Sequence, residues 1–160
     1  MKIKAITRNE IGSIKELWKE LNVHHLSRSA HFKDLFSKLT FEKRMEGLKE
    51  RDHFVAYVAE SKSEKVGYCV ATVAGLVGEI DSLFVKGSYR GKGAGEKLMS
   101  LALKWLRGHR CETLKVSIAE GNEKAIGFYK RFGFAERFIV MEMHNHPLNG
   151  VGGKRRPPPG

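Results

Sequence analysis

The sequence predicts an α/β domain in which helices flank a mixed, mostly antiparallel central sheet, in the order βααβββαβαβ. Three observations predict this class. Strand-like apolar runs cluster in the middle of the chain, and helical periodicity alternates with strands after residue 93. In addition, a glycine-rich turn joins a strand to a helix at 86–95. A chain of 160 residues with 41% apolar content can bury one good core and is short for two.

The N-terminal part is predicted to hold one strand followed by helices. Residues 2–7 alternate as a short strand, and Thr7-Arg8-Asn9-Glu10 has the spacing of a helix capping box. The next residues form one helical apolar face, made by Ile11, Ile14, Leu17, Trp18 and Leu21. Shorter helical patterns follow around 32–39 and after Thr40.

The rest of the chain is predicted to be a strand meander followed by alternating elements. Strands are predicted over 53–60, 65–76, 77–85, 112–119 and 134–144. Helices are predicted over 93–108 and 123–131. The domain is expected to cover 1–148, because the glycines, prolines and Lys154-Arg155-Arg156 triplet of 149–160 form no core and favour a disordered tail.

Composition also narrows the setting. No run reaches the length of a membrane helix, and the start does not resemble a secretory signal. Cys69 and Cys111 lie far apart in apolar segments without metal-ligand spacing, so we expect free thiols, no metal and a cytoplasmic protein. The net charge of +11 suits a ligand with several phosphates, and it is also compatible with nucleic acid.

The segment 85–96 is predicted to bind phosphate. A helix that starts after a glycine-rich turn presents unpaired N–H groups at the positive end of its dipole, and small residues there let a phosphate approach. Neither common nucleotide loop fits. No Ser or Thr follows Lys92 as in a P-loop, and Glu96 stands where a dinucleotide-binding turn has its third glycine.

Two patterns remain. Arg90-x-x-Gly93-x-Gly95 resembles the acyl-CoA pyrophosphate loop of the GNAT superfamily of N-acetyltransferases. Asn122-x-x-Ala125-x-x-Phe128-Tyr129-x-x-Phe132-Gly133-Phe134 resembles the C-terminal cofactor motif of the same superfamily. The two occur in the expected order, and the resemblance covers roughly 54–143. It implies a GNAT-type sheet and an acyl-CoA-dependent N-acyltransferase with acetyl-CoA as co-substrate.

The resemblance also assigns cofactor contacts. Main-chain groups of Leu83, Phe84 and Val85 would pair with the pantetheine amides as an added strand would. The pyrophosphate would lie on N–H groups of the loop, which comprises Arg90, Gly91, Lys92, Gly93, Ala94 and Gly95. Asn122 would hydrogen-bond the pantetheine arm, although a helix N-cap before Glu123 is an alternative interpretation.

For catalysis, the resemblance places Tyr129 at the cofactor sulfur, where its phenol would protonate or hydrogen-bond the leaving thiolate. The attacking amine must lose a proton, and Glu79 is the first candidate base because its distance from Val85 is similar to that of the glutamate base in histone acetyltransferases of the superfamily. Asp81, on the same strand face by alternation, is the second. A water chain is the third possibility.

The acceptor has no readable signature in residues 22–52, so a small molecule and a protein or peptide amine both stay open. His24, His25 and His31 fall where the superfamily's acceptor site is covered, but an exposed linker between helices is the preferred interpretation. The alternative function is a catalytically silent module that binds acyl-CoA or nucleic acid. Nucleic acid is disfavoured because the aromatics lie inside apolar runs. Residues 137–143 are apolar enough to pair across a homodimer.

Overall fold

A computed structural model describes residues 1–143, and within them a five-stranded sheet is flanked by helices. The strands are β1 (Lys2–Ile6), β2 (His53–Ser61), β3 (Glu64–Ala74), β4 (Val77–Val85) and β5 (Thr113–Val116). The helices are α1 (Lys15–Arg28), α2 (Lys33–Lys38), α3 (Phe41–Lys49), α4 (Ala94–Gly108) and α5 (Ala125–Lys130). Short 3-10 turns span Arg8–Ile14 and Gly87–Tyr89. The strands lie in sequence order, with β1 to β4 antiparallel and β5 parallel to β4.

Each face of the sheet is covered by its own core. One face packs beneath α1 and α3, where Leu17, Trp18, Phe41 and Leu48 cover Val58 and its neighbours. The other packs beneath α4, whose apolar residues recur at helical spacing and are almost fully buried: Leu98, Met99, Ala102, Leu103 and Leu106. The α/β class predicted from the sequence is therefore confirmed.

A β-bulge interrupts β4 where it passes between these cores. Val70 of β3 lies opposite Ser82, and Ala71 lies opposite Ile80, so Asp81 has no partner in this register. Strict alternation would put Ile80 and Phe84 on one face. Instead Ile80 belongs to the core under α4 and Phe84 to the core under α1. The bulge thus changes which side chains of β4 face the α1 side.

Two details of the predicted order differ from the structure. The written order counts two helices before the meander and the structure has three, in agreement with the separate helical patterns predicted around 32–39 and after Thr40. Thr40 begins the third of these helices by accepting a hydrogen bond from Lys43 N. The last predicted strand, 134–144, is wrong over the described residues 134–143, which form no strand. A strand needs a neighbour for its backbone groups, and this segment is instead open to solvent, with Ile139 and Met141 both 91% exposed.

The remaining expectations from the sequence have mixed outcomes. Cys69 and Cys111 are free thiols, the first buried and the second partly buried. Across the described part of the chain, no helix has both the length and the apolar character needed to cross a membrane. The predicted tail, 149–160, lies outside the described residues.

Candidate active site

The candidate site lies where β4 and β5 part. Their parallel pairing runs from Val77 opposite Thr113 to Ile80 opposite Val116, and there it ends. Beyond this point β4 continues to Val85 with β3 on one side and no strand of the described chain on the other. The result is a wedge that leaves the outer edge of β4 unpaired.

A cavity of about 220 Å³ occupies this wedge. Residues 80–83 of β4 form one wall and residues 116–119 after β5 form another, with Asn122 and Tyr129 at the side of α5. The helices α1 to α3 contribute the remaining lining: Trp18, Leu21, Asn22, His25, Phe36, Leu39 and Arg44. The cavity therefore joins three of the cofactor residues predicted from the sequence, Leu83, Asn122 and Tyr129, to helices that carried no readable signature.

The glycine-rich loop after β4 exposes its backbone to a ligand. Gly91 and Gly93 have φ angles of +70° and +79°, which glycine adopts without strain. Lys97 N donates to Gly93 O, so the three N–H groups before it point out of the start of α4. The Arg90 guanidinium is engaged locally, since its Nε donates to Val85 O at 2.9 Å. The backbone of this loop is thus the part available for an anion.

The two sequence patterns meet in the structure. Phe128 of α5 packs on the first turn of α4, and a β-carbon added at Gly95 would lie 3.4 Å from its ring. Arg131 donates to Glu96 at 3.0 Å and fixes the same two elements. The N-cap position of α5 is Lys124, so the structure does not show Asn122 as the cap. Its side chain interacts with His24 of α1 instead.

Tyr129 lies at the cavity with its hydroxyl uncommitted. Its ring packs edge-on against Phe128 and Phe134, with centroids 5.3 and 6.1 Å away. Within the described residues, no side chain or main-chain group hydrogen-bonds the hydroxyl. Burial raises the pKa of Tyr129, so the phenol stays protonated at neutral pH and can donate a hydrogen bond.

The two candidate bases are placed differently. Glu79 is 14% exposed and lies 3.5 Å from Lys115 Nζ and 3.9 Å from Arg51, away from the cavity lining. Asp81 lines the cavity with a side chain only 4% exposed, and its Oδ1 accepts from Arg44 Nη2 at 2.5 Å. Burial raises the pKa of Asp81, while the Arg44 charge opposes that rise.

The sequence and the fold of this chain both match those of known acetyltransferases. A model of the acetyltransferase (GNAT) family matches residues 15–134. The chain belongs to the GNAT family. A solved structure of an aminoglycoside N-acetyltransferase in complex with CoA superposes with a TM-score of 0.64 at 17% identity, covering 91% of this chain and 100% of that one. The GNAT fold expected from the two patterns is thereby confirmed.

Two relatives extend the comparison. An uncharacterized N-acetyltransferase of Methanocaldococcus jannaschii is 33% identical over 102 residues, which are 58% of this chain and 44% of that protein. The GNAT chain described here therefore matches less than half the length of this relative. An L-methionine sulfoximine/L-methionine sulfone acetyltransferase of Pseudomonas paraeruginosa is 23% identical over 137 residues, which are 82% of this chain and 72% of that protein.

The three histidines of this GNAT protein have different environments. His25 lines the cavity and stacks on Phe36 at 5.4 Å, and its Nδ1 is buried without a hydrogen-bond partner in the described chain. Burial, with a smaller contribution from His24, lowers the pKa of His25, so the ring is neutral at neutral pH. His31 pairs with Glu120 at the surface. The linker interpretation therefore fits His31 and is wrong for His24 and His25, which lie in α1.

Sequence reasoning missed two residues that shape the site. Arg44 reaches Asp81 from α3, 37 positions earlier in the chain, and no local pattern marks such a contact. Gly121 brings the loop after β5 against the end of α1, because a β-carbon there would lie 2.3 Å from Arg28 O. A glycine beside Asn122 was the available signal for this close approach.

Proposed function

We propose that this GNAT protein is an N-acetyltransferase that transfers the acetyl group of acetyl-CoA to a primary amine by direct attack. The observation that carries the proposal is the unpaired outer edge of β4. This edge runs from the cavity at residues 80–83 to the loop at the start of α4. A phosphorylated, amide-bearing arm that adds to this edge would bring its acyl end into the cavity beside Tyr129.

The residues present fit acetyl-CoA. The pyrophosphate would bind at the start of α4, where unpaired N–H groups point outward from the positive end of the helix dipole. The loop there comprises Arg90, Gly91, Lys92, Gly93, Ala94 and Gly95. Main-chain groups of Leu83, Phe84 and Val85 would pair with the pantetheine amides along the free strand edge. Asn122, at the cavity, would bind the same arm.

The acceptor amine would attack from the side of α1 to α3. An alkyl ammonium with a pKa near ~10 must lose a proton before it attacks. The apolar walls formed by Trp18, Phe36 and Leu39 favour the neutral amine by desolvation. We assign the proton to Asp81, because Asp81 lines the cavity and Glu79, the base preferred from the sequence, is held outside it by Lys115 and Arg51.

The reaction balances with the residues named. Asp81 takes the first proton from the ammonium, and the neutral nitrogen then forms the new C–N bond as the thioester C–S bond breaks. The second proton that the nitrogen loses goes to the departing sulfur and gives CoA thiol. Tyr129 donates a hydrogen bond to the sulfur as it becomes a thiolate. Because the pKa of Tyr129 is raised, stabilisation of the thiolate by hydrogen bonding is favoured over complete transfer of the phenol proton.

The test combines binding with turnover. Calorimetry should show that CoA binds, and acetyl-CoA should release free thiol when a suitable amine is added. Gly93→Glu should abolish CoA binding, because φ of +79° disfavours a side chain and the new carboxylate lies where the phosphates would be. Gly75→Ala, at a positive φ in the β3–β4 turn far from the site, is the matched control. Normal CoA binding by Gly93→Glu would overturn the cofactor assignment.

A further inference from the structure

The cavity contains one pair of opposite charges, the buried Asp81 carboxylate and the partly exposed Arg44 guanidinium, and the hydrogen-bonding capacity of the pair is only partly used. Arg44 donates through Nη2 to Asp81 Oδ1 at 2.5 Å and to the Asp81 carbonyl at 3.3 Å. Within the described residues, no group donates a hydrogen bond to Asp81 Oδ2. Arg44 Nη1 and Nε likewise donate no hydrogen bond to any described residue. A ligand in the cavity can therefore meet both a carboxylate acceptor and guanidinium donors.

The remaining lining limits the charge that an acceptor can carry. Among the described residues that line the cavity, Asp81 is the one acid, and Arg44 balances its charge. His25 is neutral because burial lowers its pKa. A second ammonium group in the cavity would lie beside Arg44 or against apolar side chains, with no second acid among the described lining residues to pair with it. The lining therefore disfavours polyamines and aminoglycosides.

The volume of the cavity and its apolar lining residues favour an acceptor with a small apolar group. The wall opposite β4 is formed by Trp18, Leu21, Phe36 and Leu39. A volume of about 220 Å³ is below the ~300–1,000 Å³ of sites for drug-sized ligands. The acceptor portion inside the cavity is therefore small, with an apolar part beside its charges.

We propose that the acceptor is a small α-amino acid with an apolar side chain, its amino group at Asp81 and its carboxylate at Arg44. This proposal rests on the N-acetyltransferase function above. The ammonium group of the zwitterion faces the Asp81 carboxylate, its carboxylate faces the Arg44 guanidinium, and its side chain covers the apolar lining. The products are the N-acetyl amino acid, CoA thiol and one proton.

The experiment compares matched acceptors with the unmodified protein. L-leucine is compared with 3-methylbutylamine, which has no carboxylate, and with L-leucinamide, in which a neutral amide replaces the carboxylate. The amino groups of these two controls are respectively more and less basic than that of leucine, so basicity alone cannot produce a preference for leucine over both. A charge-assisted hydrogen bond predicts kcat/KM for L-leucine about 10- to 100-fold above either control. Spermidine and kanamycin complete the panel.

The variant test uses two arginines at different distances from the cavity. Arg44→Gln should remove the preference for L-leucine over 3-methylbutylamine. Arg51→Gln should retain it, because Arg51 lies near Glu79 and outside the lining. If Arg44→Gln fails to fold, the acceptor comparison with the unmodified protein still decides.

The outcomes separate the two proposals. Preference for spermidine, kanamycin or 3-methylbutylamine over L-leucine would overturn the amino-acid acceptor and leave the N-acetyltransferase standing. CoA binding without acetylation of L-leucine would do the same. Failure to bind CoA would instead overturn the proposed function itself.

Discussion

Gly121→Ala is the substitution for which the structure gives the most definite magnitude. The residue has φ +82°, a conformation that costs a non-glycine residue about 1–2 kcal/mol. The added methyl would also lie 2.3 Å from Arg28 O. A β-carbon in ordinary van der Waals contact lies 3.4–4 Å from its neighbour, so the loop must move by roughly 1 Å, and such overpacking costs about 1–3 kcal/mol more.

Two glycines separate these contributions. Gly75 has φ +56° with open space around it, so Gly75→Ala should lose only the conformational term of about 1–2 kcal/mol. Gly47 lies inside α3 with nothing near it, and Gly47→Ala should gain about 0.5–1 kcal/mol. For a domain of this size 1 kcal/mol corresponds to roughly 2–4 °C in Tm. Gly121→Ala should therefore melt about 2–12 °C below Gly75→Ala.

The assay is thermal unfolding of the three variants, followed by acetyl-CoA kinetics. Because Asn122 is the next residue, displacement of the loop should raise KM for acetyl-CoA in Gly121→Ala and not in Gly75→Ala. Equal melting temperatures for Gly121→Ala and Gly75→Ala would show that α1 and the loop do not make this close approach. The placement of Asn122 against α1 would then be refuted as well.

Three further predictions concern the chemistry. Tyr129→Phe should lower kcat about 10²-fold and leave KM for acetyl-CoA nearly unchanged, because it removes one hydroxyl and keeps the ring; a large change in KM alone would contradict this. Asp81→Asn should lower kcat/KM while Glu79→Gln leaves it near normal, and the reverse result would restore Glu79 as the base. Arg44 lowers the pKa of Asp81, so Arg44→Gln should move the acid limb of the pH profile of kcat/KM to higher pH. If the acid limb does not move, the titration that produces it does not belong to Asp81.

The strand meander, α4 and the glycine-rich loop before it could be predicted because their signals are local. Apolar alternation defines the strands, and the spacing of Leu98, Met99 and Ala102 defines the buried stripe of α4. Loop geometry was predictable for the same reason, since Gly91 and Gly93 are needed where φ is positive. Local patterns also singled out Tyr129, which lines the cavity, and its role at the cofactor sulfur stays a prediction.

What could not be predicted depends on distant contacts. The bulge at Asp81 is a property of the pairing between β3 and β4, and it alters the faces that alternation assigns. Arg44 approaches Asp81 from another element. The segment 134–143 has the apolar character of a strand, but a strand also needs a free neighbouring edge at the right place, which composition does not encode.

A cleft between two strands of one sheet requires that the strands be held together at one end, and Gly78 provides this condition. A β-carbon at Gly78 would lie 2.8 Å from Leu114 of β5 and 2.9 Å from Leu106 of α4. A side chain at Gly78 would therefore require the ends of these two leucine side chains to move. The pairing of β4 with β5 ends two residues further on at Ile80, which with Asp81 begins the lining of the cavity. Close packing at Gly78 therefore helps to fix the point at which β4 and β5 separate. The position of Asp81, and with it the chemistry proposed for this residue, depends on packing at Gly78, which does not line the cavity.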